Sequence, residues 1–125
     1  MRLFSATHST PLLTVLLLAV VMPAGAAELR CTFQSRQICD PRGCLPGDPS
    51  TAFVTLRLKE RQYGRCRGTR ACDWYPMRVQ RGGDYLHLDF SDGVQGAKMS
   101  LDGSLFIETV SLMDKVWVSF GRCER

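Results

Sequence analysis

The residues from Tyr63 to Pro76 read YGRCRGTRACDWYP, the densest set of chemically able groups in the chain. Arg65, Arg67 and Arg70 fall within six residues, bracketed by Tyr63 and Trp74, with Cys66 and Cys72 in the same stretch. Guanidinium groups present planar, bidentate donors that suit carboxylate and phosphate. If Cys66 and Cys72 pair, the five residues between them close into a small loop, and a rigid loop loses less entropy on binding. The expected chemistry is recognition of an anion by Arg65, Arg67 and Arg70, with Tyr63 and Trp74 as flanking stacking surfaces. The expected partner is an anionic envelope component or an acidic protein, with nucleic acid not favoured. The same residues would also serve as a solvated hairpin tip whose arginines keep a sheet edge soluble.

Acid–base chemistry has a single candidate. Beyond residue 27 the only histidine is His87, and in a strand it shares a face with Tyr85 and Asp89. A His87–Asp89 contact would be half of an acid–base pair. Leu86, Leu88 and Phe90 alternate with these residues, so His87 and Asp89 are expected to cover the solvent side of that strand. Asp89, Asp92 and Asp102 read as strand-edge and turn residues, not as a glycosidase pair. The spacings Cys39 to Cys44 and Cys66 to Cys72 do not fit a C-x-x-C redox or zinc motif. Gly82-Gly83 precedes a strand pattern, not a helix, so it is no phosphate-cradling loop. No catalytic residue, metal or cofactor is expected, and the chain reads as a binding or interaction module. The alternatives are a structural or envelope-stability protein, a small periplasmic inhibitor of a hydrolase, and an enzyme using His87 and Asp89.

The compartment follows from the N-terminus and the cysteines. Arg2 and His8 precede an uncharged apolar run, Leu12 to Met22, and Pro23 is followed by Ala24, Gly25, Ala26 and Ala27. That is the layout of a secretory signal peptide over residues 1–27, cleaved after Ala26 or Ala27. The run is too short for a membrane span, which needs roughly 20 apolar residues. Arg30 before Cys31 argues against a lipid anchor. The remaining residues 28–125 suit one β domain, periplasmic or secreted. All six cysteines lie there, and an even count in a short exported chain reads as a disulfide framework. Spacing alone leaves the pairing open; the preferred set is Cys39–Cys44, Cys66–Cys72 and the terminal Cys31–Cys123.

The elements that must hold these groups are strands. Leu29, Cys31 and Phe33 alternate with polar residues, as do Val54, Leu56 and Leu58, then Leu86, Leu88 and Phe90, then Ala97, Met99 and Leu101, then Val116, Val118 and Phe120. Gly82-Gly83, Asp92-Gly93 and Asp102-Gly103 mark tight turns, and Met113-Asp114 a further one. The segment from Arg36 to Ser50, with Pro41, Gly43, Pro46, Gly47 and Pro49, reads as an irregular loop. The fold expected is all-β: an antiparallel meander of seven or eight strands, closing as a small barrel or sandwich and stapled by disulfides. Cys123 falls out of phase with Val116, Val118 and Phe120, so a terminal bridge calls for a bulge, expected at Gly121. Phe53, Phe106 and Trp117 also fall off the inward pattern, and are expected to pack under the Arg36–Ser50 loop. Charge is uneven: residues 57–81 carry eight basic and two acidic side chains, +6, and the rest of residues 28–125 sums to −3.

Tyr63, Arg65-Cys66, Cys72-Asp73-Trp74-Tyr75 and the ending Ser119-Phe120-Gly121-Arg122-Cys123, with Cys31-Thr32-Phe33, resemble small exported proteins of proteobacteria with no assigned activity. The resemblance implies a periplasmic or secreted β-rich protein and carries over no catalytic residue. The expected architecture is also similar to that of periplasmic lysozyme inhibitors, whose motifs are not present. Basic lysozymes would also meet like charge on an arginine-rich face.

Overall fold

The structure is a computed structural model that describes residues 28–49, 52–68, 71–91 and 93–125. The expected signal peptide at 1–27 lies outside the described residues, as do Thr69, Arg70 and Asp92. The described chain forms ten strands and no helix: β1 (Leu29–Asp40), β2 (Gly43–Gly47), β3 (Phe53–Arg57), β4 (Gln62–Arg67), β5 (Ala71–Pro76), β6 (Arg78–Gly82), β7 (Tyr85–Asp89), β8 (Gln95–Ser100), β9 (Phe106–Leu112) and β10 (Lys115–Glu124). They pair antiparallel in the order β5-β4-β3-β1-β10-β9-β8-β7-β6, with β2 on β1. The sheet curls into a nearly closed barrel, with β5 and β6 at the two ends of the hydrogen-bonded order. Among the described residues no helix is long and apolar enough to cross a membrane.

The higher strand count comes partly from the segment read as an irregular loop. Arg36 to Asp40 continue β1, and Gly43 to Gly47 fold back on them as β2. Pro46 is accommodated because β2 pairs on one side only, where a missing N–H costs no second ladder bond. Asp40 shapes the turn, accepting from Arg42 N at 2.8 Å and Arg42 Nη2 at 2.9 Å. These hydrogen bonds hold the Asp40 carboxyl below its ordinary value.

One face of every strand turns inward, and the core collects Cys31, Val54, Leu56, Tyr63, Leu88, Met99 and Phe106, each buried. Tyr63 meets Phe90 edge to face at 4.6 Å between ring centroids, and Phe33 lies 5.9 Å from Phe106. All three expected disulfides form, and each joins directly opposed residues of neighbouring strands: Cys31 and Cys123, Cys39 and Cys44, Cys66 and Cys72. Three disulfides belong to an oxidising, non-cytoplasmic compartment.

The phase of β10 is the reverse of the predicted one. Trp117, Ser119, Gly121 and Cys123 face in, while Val116, Val118 and Phe120 face out. The bulge lies in β1, where the register slips between Phe33 and Ser35 opposite Gly121 and Phe120. It brings Arg36 and Ile38 onto the inward side. Gly121 is still required there, because a Cβ would collide with the Thr32 carbonyl oxygen. Phe53, Phe106 and Trp117 do not gather under one loop. Phe106 is core, Phe53 lies on the outer face, and only Trp117 opposes the β1–β2 hairpin, beside Ile38.

Candidate functional site

Strand alternation splits the arginine–aromatic cluster between two faces. On β4, Tyr63, Arg65 and Arg67 share the inward phase, whereas Gly64 and Cys66 face out. Across on β5, Trp74 opposes Gly64 and Cys72 opposes Cys66, so Trp74 belongs to the outer face. The predicted set of Tyr63, Arg65, Arg67, Arg70 and Trp74 is therefore not one surface. Tyr63 is fully buried and offers no stacking surface to a partner; its ring is core because Leu56 stands opposite it on β3. Arg67 is exposed near the hairpin end, and Arg70 lies outside the described residues.

The outer face of β1, β3, β4 and β5 carries an arrangement the sequence reading missed. The Arg30 guanidinium lies 3.8 Å from the Phe53 ring centroid, and the Arg57 guanidinium 4.0 Å from that of Trp74. Such stacks contribute roughly 0.5–1 kcal/mol each where solvent reaches them. Trp74 lies over Gly64, where a Cβ would stand 2.8 Å from the ring. Glu28 Oε1 accepts from Arg57 Nε at 2.6 Å and steadies that guanidinium. Glu28, Arg30, Phe53, Thr55, Arg57, Cys72 and Trp74 together line a shallow groove ending at the Cys66–Cys72 staple. Arg30, Arg57 and Trp74 are spread over the chain from residue 30 to residue 74, so only pairing β1 with β3, β3 with β4 and β4 with β5 assembles them.

The inward face holds a polar layer above the apolar core. Tyr63 Oη donates to Glu108 Oε2, and Arg65 Nη2 donates to Glu108 Oε1 at 2.7 Å. Arg36 Nε donates to Ser119 Oγ at 2.9 Å, and Ser119 opposes Glu108 across the β9–β10 ladder. Burial and the neighbouring Glu108 charge hold the Tyr63 phenol well above its ordinary range. Burial alone would lower the Arg65 guanidinium, but the Glu108 charge, the Tyr63 phenol and the hydrogen bond to Glu108 together leave it raised. Glu108 had a readable signal, since Phe106, Glu108 and Val110 alternate. Arg36 had none, because the bulge in β1 changes its face.

His87 is exposed on the outer face, opposite Gln80 and Lys98, with its ring over Gly82. Asp89 opposes Arg78 and Gly96 on the same face. Among the described residues no group of three His, Cys, Asp or Glu side chains is placed to hold a metal ion. No protein family, curated protein or solved structure matches this chain, so no residue role comes to it from a relative.

Proposed function

We propose that this protein is an exported binding module that recognises an acidic partner through the outer face of β1, β3, β4 and β5. The observation that carries this reading is the pair of guanidinium–aromatic stacks, Arg30 on Phe53 and Arg57 on Trp74, in one groove. Each ring restricts its guanidinium, so less rotamer entropy is lost when a carboxylate or phosphate docks. The Cys66–Cys72 staple closes the end of the groove, within the segment of highest positive charge.

The test is capture of an acidic envelope fraction on the immobilised protein across a salt series. Binding should fall with salt, because the contacts are exposed ion pairs. Arg30→Ala with Arg57→Ala should weaken it roughly tenfold or more, as expected for losing two charge-assisted contacts. Arg67→Ala with Arg70→Ala reports whether the hairpin tip takes part. Retention that is indifferent both to salt and to the Arg30/Arg57 pair of substitutions would remove this face from consideration.

A further inference from the structure

The open end of the barrel beside β2 has a construction the outer groove does not share. Three inward side chains from three adjacent strands, Arg36, Ser119 and Glu108, form a cross-strand row, and Arg65 reaches the same carboxylate from β4 on the far wall. This layer sits on the Phe33–Phe106 end of the apolar core. It holds two guanidiniums against one carboxylate. Arg65 Nε has no hydrogen-bond partner among the described residues, yet the Arg65 side chain keeps 24% of its surface exposed. The layer is therefore positive, partly desolvated and open to solvent. One further inward pair follows from β4 and β5, where Arg67 continues the cationic line and Asp73 opposes Arg65.

One step outward along the same strands the chemistry changes. Leu45, Ile38, Trp117 and Val110 stand opposite one another on β2, β1, β10 and β9, all on the inward side. Three inter-strand steps make this wall about 14 Å wide. Among the described residues, Leu45 is 72% exposed and Leu112, at the next inward position of β9, is 50% exposed, while Ile38, Trp117 and Val110 are half-buried. A contiguous apolar row that keeps part of its surface in water marks a binding surface more than scattered residues do. The Cys39–Cys44 bridge closes the hairpin from the outer side, so the wall is held in shape without being filled.

An apolar wall rising from a cationic floor is complementary to one class of ligand. We infer that the barrel mouth binds a single-chain anionic amphiphile, its carboxylate or phosphate head on Arg36 and Arg65 and its alkyl chain along Ile38, Trp117 and Leu45. A free anion would leave the wall in water, and an uncharged chain would leave the guanidinium surplus unmet. This site is separate from the outer groove, and neither depends on the other.

The experiment uses the protein purified from an oxidising compartment with its disulfides formed, and amphiphiles below their aggregation concentrations. Trp74 and Trp117 are the two tryptophans, so Trp74→Phe leaves Trp117 as the sole indole reporter. Saturable quenching of Trp117 by ω-bromododecanoate is expected. Dodecanoate and dodecyl phosphate should compete, and their relative strengths tell which head group is preferred; acetate and dodecyltrimethylammonium should not compete. Arg36→Gln and, separately, the exposed-site change Leu45→Asp should each weaken binding roughly tenfold, with near-ultraviolet dichroism unchanged. Absence of saturable quenching, equal competition by the cationic amphiphile, or undiminished binding in both variants overturns the inference. Self-association abolished by Leu45→Asp, without quenching by the bromo acid, would assign the wall to a second copy of the chain and also overturn it.

Discussion

A carboxylate with 2% of its side-chain surface exposed needs its charge met inside the fold, and Glu108 meets it with donors from Tyr63 and Arg65. Removing one partner of a buried pair is costly, because the other charge stays behind without its hydration. Glu108→Ala should destabilise the protein by about 3 kcal/mol, the lower end of the usual range, since Arg65 still reaches water. Tyr63→Phe should cost less, about 1–2 kcal/mol, as Arg65 still serves the carboxylate. Urea unfolding of the two variants orders them. Tyr63 also makes stability depend on alkaline pH. Its folded-state pKa is raised, so its contribution is complete below the unfolded value near 10 and is lost as pH rises further. A stability profile from pH 9 upward should fall more steeply for the wild type than for Tyr63→Phe.

At the scale of strands, the β1–β10 pair decides where the polar layer stands. Its slip between Phe33 and Ser35 lets Cys31 and Arg36 both face inward although they are an odd number of residues apart. The slip needs Gly121, whose missing Cβ admits the Thr32 carbonyl. That atom is backbone in a central ladder and cannot swing aside as a side chain would. Gly121→Ala should therefore cost several kcal/mol, on the order of 3 or more, or prevent folding outright. Gly64→Ala makes the useful contrast, because the obstructing group is the Trp74 ring, a side chain on an outer surface. It should cost about 1–2 kcal/mol and shift Trp74 emission while leaving the ladder intact. Thermal unfolding with tryptophan fluorescence separates the two outcomes. The β1–β2 hairpin carries the opposite lesson. Its prolines and glycines made it look like a loop, but an edge strand tolerates them, and the Cys39–Cys44 bridge holds the pair in register.

For the whole molecule, the Cys31–Cys123 bridge spans 92 residues and links the first β1 residues to the end of β10. By the chain-entropy argument it restricts the unfolded chain far more than the bridges spanning 5 and 6 residues. Replacing both terminal cysteines by alanine should cost about 4–5 kcal/mol, and replacing either local pair about 2 kcal/mol. Chemical unfolding of the three double variants gives that order directly. Loss of the local Cys39–Cys44 bridge should leave the barrel folded while loosening the wall beside its mouth. Central pairing of β1 with both β3 and β10 explains the asymmetry, since the terminal bridge closes the seam on which both halves of the sheet hang.

Period-two patterning was enough to specify an all-β chain. An even cysteine count in a short chain pointed to a disulfide framework but left its pairing open, and the preferred set is the one the strands align. Both signals are local or nearly so: alternation reports which side of a strand is buried, and two short spacings leave one long pair. The arginine–aromatic stretch was legible as unusual, but its side chains were assigned to a single surface. Consecutive residues of a strand point to opposite faces, so Arg65 went to the interior and Trp74 to the exterior. The partners they found there, Glu108 and Arg57, lie on other strands and are set by register alone. The register of β1 on β10 depends on one bulge, which shifts every later residue of β1 by a face, whereas the β3, β4 and β5 ladders that join Arg57 to Trp74 run without a slip. The strands and their staples belonged to the sequence; which charges meet, and where the barrel opens, was decided only when the strands paired into a nearly closed barrel.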